Sequence, residues 1–134
     1  ARLIDSARAT VLQATPATWR LLLAAQWAPT PGLRMWCGGE AMPVDLAAEL
    51  TRGGGELWNM YGPTETTIWS AVGRVAHADD ARFLGEPIAA TSLSIVDDRL
   101  DSVPAGVPGE LLIGGAGVAR GVSLRADRRI ARPP

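Results

Sequence analysis

The chain contains no lysine: its 13 basic residues are all arginine, so any step that needs a lysine ammonium must come from outside these 134 residues. Cysteine and histidine occur once each, as Cys37 and His77. A single cysteine excludes an intramolecular disulfide and a cysteine metal cluster, and a single histidine excludes a histidine-based zinc site. Charge is nearly balanced, at a formal net charge of -1. With neither a basic field nor an acidic tail, no nucleic-acid partner is expected. No apolar run approaches the ~18–20 residues of a membrane span, and no charged-then-apolar leader is present. No membrane partner is expected, and a soluble cytoplasmic protein is. The chain opens on Ala1 rather than Met and closes on Arg132-Pro133-Pro134, as a piece of something longer would.

What is there supports a core, with 47% apolar residues. Leu3 to Arg8 reads as the end of a helix, and Ala9 to Ala14 as a buried strand closed by Thr15-Pro16. From Ala17 to Trp27 apolar residues recur at helical spacing, with Pro16 suited to the first turn. Leu33 to Cys37 reads as a second strand, Pro43 to Arg52 as a helix stopped by Gly53-Gly54-Gly55, and Leu57-Trp58 as a third strand. Strands alternating with helices at this spacing predict βαβ units and a partial parallel sheet layer, an α/β fold. After Ile68 the pattern changes to short strands, Val72–Ala76, Leu93–Val96 and Glu110–Ile113, between turn residues. That part reads as antiparallel structure, a distorted barrel or small sheet. The expected division is an α/β part over 1–78, a β-rich part over 79–121 and an atypical, disordered or frameshifted tail over 122–134.

The run Asn59-Met60-Tyr61-Gly62-Pro63-Thr64-Glu65-Thr66-Thr67 carries the chemistry. It lies between two apolar stretches, where a turn at the rim of a sheet meets small ligands. An aromatic ring, hydroxyls and a carboxylate this close together suit a nucleotide: a face for a base, donors for a phosphate, an anion for a metal.

The run resembles the fifth core motif, N-x-Y-G-P-T-E, of adenylation domains in nonribosomal peptide synthetases. Gly109 to Gly121 resembles the sixth, G-E-L-x-I-x-G-x-G-V-A-R-G. Leu84-Gly85-Glu86-Pro87-Ile88 is similar to the family's I-G-x-P-I turn, and Cys37-Gly38-Gly39-Glu40-Ala41 to its G-G-E-A segment. The resemblance implies the N-terminal subdomain of an adenylate-forming enzyme of the acyl-CoA ligase and luciferase superfamily. Such an enzyme joins an amino acid to ATP and passes the aminoacyl adenylate to the phosphopantetheine thiol of a carrier domain. By that resemblance Tyr61 stacks on adenine, Asn59 bonds its amino group, and Gly38, Gly39 and Glu40 form the opposite wall. Thr64 binds the α-phosphate and Glu65 holds Mg2+, the two being the catalytic candidates. Both roles agree with charge stabilisation at a reacting phosphate. Gly62 is expected to permit close approach of backbone to substrate.

By the same resemblance the amino-acid pocket falls on Gln13, Met35, Cys37, Met60, Ile68 and Trp69, beside Gly62. Gln13, Ile68 and Trp69 match the pattern of glycine-activating domains, and Trp69 and Met60 fill volume that a larger substrate side chain would need. Glycine is the first choice and alanine the second, because pockets separate methyl-scale differences by only about 1–3 kcal/mol. Peptidyl carrier and condensation domains are the expected partners in the full-length protein. The phosphate loop with its lysine, the downstream T-G-D motif and the mobile C-terminal subdomain are missing, so the isolated chain is expected to be inactive. The alternatives are an acyl- or aryl-CoA ligase of the same superfamily, disfavoured by Pro63, and a non-catalytic nucleotide-binding remnant. Cys37 reads as a buried thiol on the pocket wall rather than a nucleophile, since no histidine lies near it in sequence. His77 reads as a surface residue, and Gly114-Gly115-x-Gly117 as a structural turn, because no helix follows it. Trp19, Trp27, Trp36 and Trp58 are placed in the core, and Arg120 is given a structural role.

Overall fold

The chain is described by a computed structural model over residues 2–121. The tail expected over 122–134 lies outside the described residues. The order is α1 (Arg2–Ser6), β1 (Val11–Ala14), α2 (Pro16–Ala24), β2 (Arg34–Gly38), α3 (Val44–Thr51), β3 (Glu56–Tyr61), β4 (Ala71–Val75), β5 (Glu86–Pro87), β6 (Thr91–Val96) and β7 (Glu110–Gly115), with 3-10 turns at Thr64–Thr66 and Ala78–Arg82. No helix among the described residues is long and apolar enough to cross a membrane.

Two compact units emerge, Ala1–Tyr61 with Ala71–Glu86, and Gly62–Ser70 with the chain from Pro87 onward. The breaks therefore fall at 61/62, 70/71 and 86/87 rather than at 78/79.

In the first unit, local signals set the helices. Thr15 caps α2 by accepting from the Thr18 amide, and Pro16 occupies the first turn, where its missing N–H is not needed. The helix ends with Gln26 in the left-handed region at φ 60°. There the Gln26 amide donates to the Leu23 carbonyl at 2.9 Å and the Trp27 amide to the Leu22 carbonyl at 3.0 Å, a Schellman closure. It turns Trp27 back onto Trp19, with ring centroids 5.8 Å apart. Helix α3 carries Asp45 in its first turn, where the charge complements the helix dipole, and buries Leu46, Ala47 and Leu50.

Strands β1, β2 and β3 pair in parallel, and β4 returns antiparallel on β3. Strand β4, expected in the antiparallel half, thus belongs to the first sheet: the turn after β3 sends the chain straight back along its neighbour. The third strand is also longer than expected, because Asn59, Met60 and Tyr61 are its last three residues and not part of the turn. Their pairing explains this, since Asn59 faces Gly73, Met60 faces Val72 and Tyr61 faces Ala71 across the ladder.

Side chains alternate across a strand, so the register sorts the sheet into two faces. Met35, Cys37, Leu57 and Val75 lie on one face and join Trp19, Trp27, Leu46 and Leu50 in the core. Each large side chain buried there contributes about 1.5–3 kcal/mol. Gln13, Trp36, Trp58 and Arg74 form a cross-strand row on the other face.

In the second unit β6 and β7 form an antiparallel pair in register from Thr91↔Gly115 to Val96↔Glu110. This is the small sheet expected of the later part of the chain.

Candidate functional site

The carboxyl ends of parallel strands are where open α/β sheets bind ligands. In the first unit the ends of β2 and β3 lie side by side, with Cys37 paired to Asn59 and Gly38 to Met60. Gly39, beyond the end of β2, has φ 86°, a left-handed conformation that glycine adopts freely. Exposed Glu40 follows it.

Alternation divides the end of β3 between the two faces. Asn59 and Tyr61 lie on the core side and Met60 on the opposite side. Asn59 is buried, and its amide nitrogen donates to the Phe83 carbonyl at 2.8 Å and the Ala81 carbonyl at 3.4 Å. Two carbonyls fix the orientation of the amide, because the reverse orientation would set oxygen against oxygen. The side-chain oxygen is left to accept a hydrogen bond. Tyr61 is half-buried at the strand end.

The expected amino-acid residues do not share one face. Gln13 and Met60 lie on the face opposite the core, whereas Met35 and Cys37 are fully buried within it. Trp36, opposite Gln13 in the register, and Gly38, opposite Met60, occupy the face to which Gln13 and Met60 belong. A one-residue shift in a strand exchanges its faces, and the continuous apolar run Met35-Trp36-Cys37 gives no internal sign of which residue points where. Burial pushes the Cys37 thiol up to about 12, with the Glu40 charge adding to it. A thiol held protonated in the core is not a nucleophile.

The second unit carries Gly62, Thr64, Glu65, Ile68 and Trp69. Thr64 and Glu65 are exposed on the 3-10 turn. A Cβ added at Gly62 would lie 2.5 Å from the Ile68 carbonyl oxygen and 2.7 Å from the Trp69 Cα. The backbone that approaches Gly62 is thus the protein's own, and this glycine lets the turn close on itself. Thr67 and Ile68 have φ of 60° and 73°. Ile68 is 63% exposed and Trp69 half-buried.

Among the described residues no group of three or more His, Cys, Asp and Glu could hold a metal ion. Magnesium is commonly held by one or two carboxylates together with substrate phosphates, and exposed Glu65 fits that limited part. The His77 side chain is exposed, and Trp58 and Trp36 are half-buried on the open face rather than in the core.

Residues 1–122 match the AMP-binding enzyme family. The chain belongs to that family. A dimodular nonribosomal peptide synthase of Bacillus subtilis is 40% identical over 99% of this chain and 6% of its own length. A phosphinothricin tripeptide synthetase of Streptomyces viridochromogenes is 37% identical over 99% of the chain and 12% of its length. Among solved structures, a four-domain nonribosomal peptide synthetase bound to AMP and glycine is 49% identical, with a TM-score of 0.77 over 87% of this chain and 9% of that one. The N-terminal subdomain of a Klebsiella oxytoca protein has a TM-score of 0.78 over 96% of the chain at 23% identity, a likeness of fold. The AMP-binding chain therefore spans a small part of the synthetases it resembles, and its fold is that of an adenylation N-terminal subdomain.

Proposed function

We propose that this AMP-binding segment serves an adenylation domain that joins glycine to ATP and hands the aminoacyl adenylate to the phosphopantetheine thiol of a carrier domain. The observation that carries the reading is the alternation at the end of β3. It sets Asn59 and Tyr61 on one face and Met60 on the other, so that one strand can attend to a base and an amino acid at once. The 49% likeness to a synthetase bound to AMP and glycine supports both ligands together.

On this reading Asn59 accepts from the adenine amino group, Tyr61 stacks on the ring, and Gly38, Gly39 and Glu40 face it. Thr64 meets the α-phosphate. Glu65, together with the phosphates, would hold Mg2+, which would supply neutralisation of charge developing between them. Gln13, Trp36 and Met60 crowd the amino acid. Ile68 and Trp69 keep the pocket role that the resemblance gives them. The crowding favours glycine, with alanine second. Carrier and condensation domains are the partners this chemistry implies.

The test is amino-acid-dependent ATP–pyrophosphate exchange by the full-length protein that carries this sequence. Glycine is expected to give the strongest exchange, and Trp36→Ala to raise alanine relative to glycine by about tenfold. A native preference for a bulky amino acid overturns the pocket. Formation of a free CoA thioester in place of carrier loading overturns the reaction.

A further inference from the structure

We propose that Thr67 and Gly117 form a latch that holds the Thr64–Glu65 turn in place, which makes Thr67 a positioning residue for the proposed adenylation. The inference rests on the reading of Thr64 and Glu65 as phosphate and Mg2+ groups. All of its contacts lie within the second unit.

The Thr67 hydroxyl donates to the Gly117 carbonyl at 2.8 Å. The Thr67 amide donates to the Thr64 carbonyl at 3.2 Å, and the Ala119 amide to the Glu65 carbonyl at 2.7 Å. Gly117 fits because it has no side chain: an added Cβ would lie 2.9 Å from the Thr66 carbonyl oxygen, a backbone atom that cannot swing aside. The 117–119 stretch is thereby bonded to the turn at Glu65 and Thr67 and packs close against the backbone of Thr66 between them. On its other side the Thr66 hydroxyl bonds the Pro63 carbonyl at 3.1 Å and the buried Ser70 hydroxyl.

Conformation supplies the second argument. Thr67 and Ile68 are both β-branched and both left-handed, which such residues rarely adopt. Both are exposed, so burial does not hold them there. A strained backbone persists when its surroundings over-determine it, and such positions cluster at functional sites. Here the hydrogen bonds to Gly117 and Thr64 are what determine it. Relaxing Thr67 would move Thr64 and Glu65, three and two residues before it, which carry the hydroxyl and carboxylate.

Thr67→Val removes the hydroxyl while keeping the branch, and Thr67→Ser restores the donor. In glycine-dependent exchange by the full-length protein, T67V is expected to raise the KM for MgATP about fivefold, the equivalent of one hydrogen bond. The KM for glycine stays unchanged, T67S returns the KM for MgATP toward the wild-type value, and the Ala119 amide exchanges faster with solvent in T67V. Gly117→Ala is expected to act in the same direction and more strongly. A lower kcat with every KM unchanged is the signature of lost folded protein and overturns the latch, as does an unaltered T67V. A wild-type protein that gives no exchange with any amino acid overturns the adenylation reading, and the positioning role falls with it.

Discussion

Replacing Asn59 separates its structural duty from the rest of β3. The side chain is 6% exposed and its amide gives a short bond to the Phe83 carbonyl, 2.8 Å, and a long one to the Ala81 carbonyl, 3.4 Å. Asn59→Ala deletes the strong bond, a part-buried one to the carbonyl of exposed Phe83, a loss of about 0.5–1.5 kcal/mol. The long bond adds little. Asn59→Asp is nearly the same shape but sets a carboxylate against two carbonyl oxygens. A buried charge without a partner costs about 3–5 kcal/mol, so the aspartate is the worse substitution near neutral pH. The sign of its pH dependence follows. Burial and the two carbonyls raise the folded-state pKa of the new acid above its unfolded value. Its favourable contribution is therefore complete below the unfolded pKa and is lost as pH rises through the folded one. Once protonated, the acid can donate to Phe83. Urea unfolding followed by tryptophan fluorescence, at about pH 7 and about pH 4, yields the difference from wild type at each pH. The aspartate variant should lose to the alanine variant at the higher pH and recover toward or past it at the lower. Equal losses at both values would refute the hydrogen-bond assignment.

Three further outcomes are expected. Gln26→Gly should stabilise the first unit by about 0.5–1 kcal/mol, because glycine occupies the left-handed closing position of α2 without a Cβ clash, and a higher urea midpoint reads this out. Cys37 should resist a thiol reagent at about pH 8 in the native protein and react fully in urea, since burial holds its thiol protonated; prompt native labelling would contradict its place in the core. The Asp80 carboxylate is held below its ordinary value, first by the His77 amide at 2.8 Å, against an opposing effect of desolvation, and then by the Ala76 amide at 3.0 Å. Its contribution is present above the ordinary carboxylate pKa and fades as pH falls through the depressed one, so Asp80→Asn should flatten the acid limb of a stability–pH curve.

The helices and parallel strands were legible because their signals are local. Pro16, the three glycines after α3 and the 3.6-residue spacing of apolar side chains each act within a turn or two. Partners distant in sequence were not. Asn59 to Tyr61 look like turn residues until Val72 and Gly73 are seen across from them, and nothing within Ile68-Trp69 announces the left-handed backbone that Gly117 helps to fix. The sorting of residues between the two faces was hidden for the same reason. Met35, Trp36 and Cys37 are all apolar, so only the register with β1 and β3 tells which of them shares a face with Gln13. The motif positions themselves were legible, since Gly38, Asn59 and Tyr61 fall together at the strand ends.

The split at the end of β3 also bears on how such a protein can diversify. On the proposed reading, position 60 can change without altering what its neighbours on either side present, so a lineage could sample new amino acids there and leave nucleotide recognition intact. A deletion of one residue within the strand would do the reverse, carrying Met60 to the base side and Asn59 to the other. Point substitution at this position is therefore the permissive route to a new product, and a change of length is closed to it.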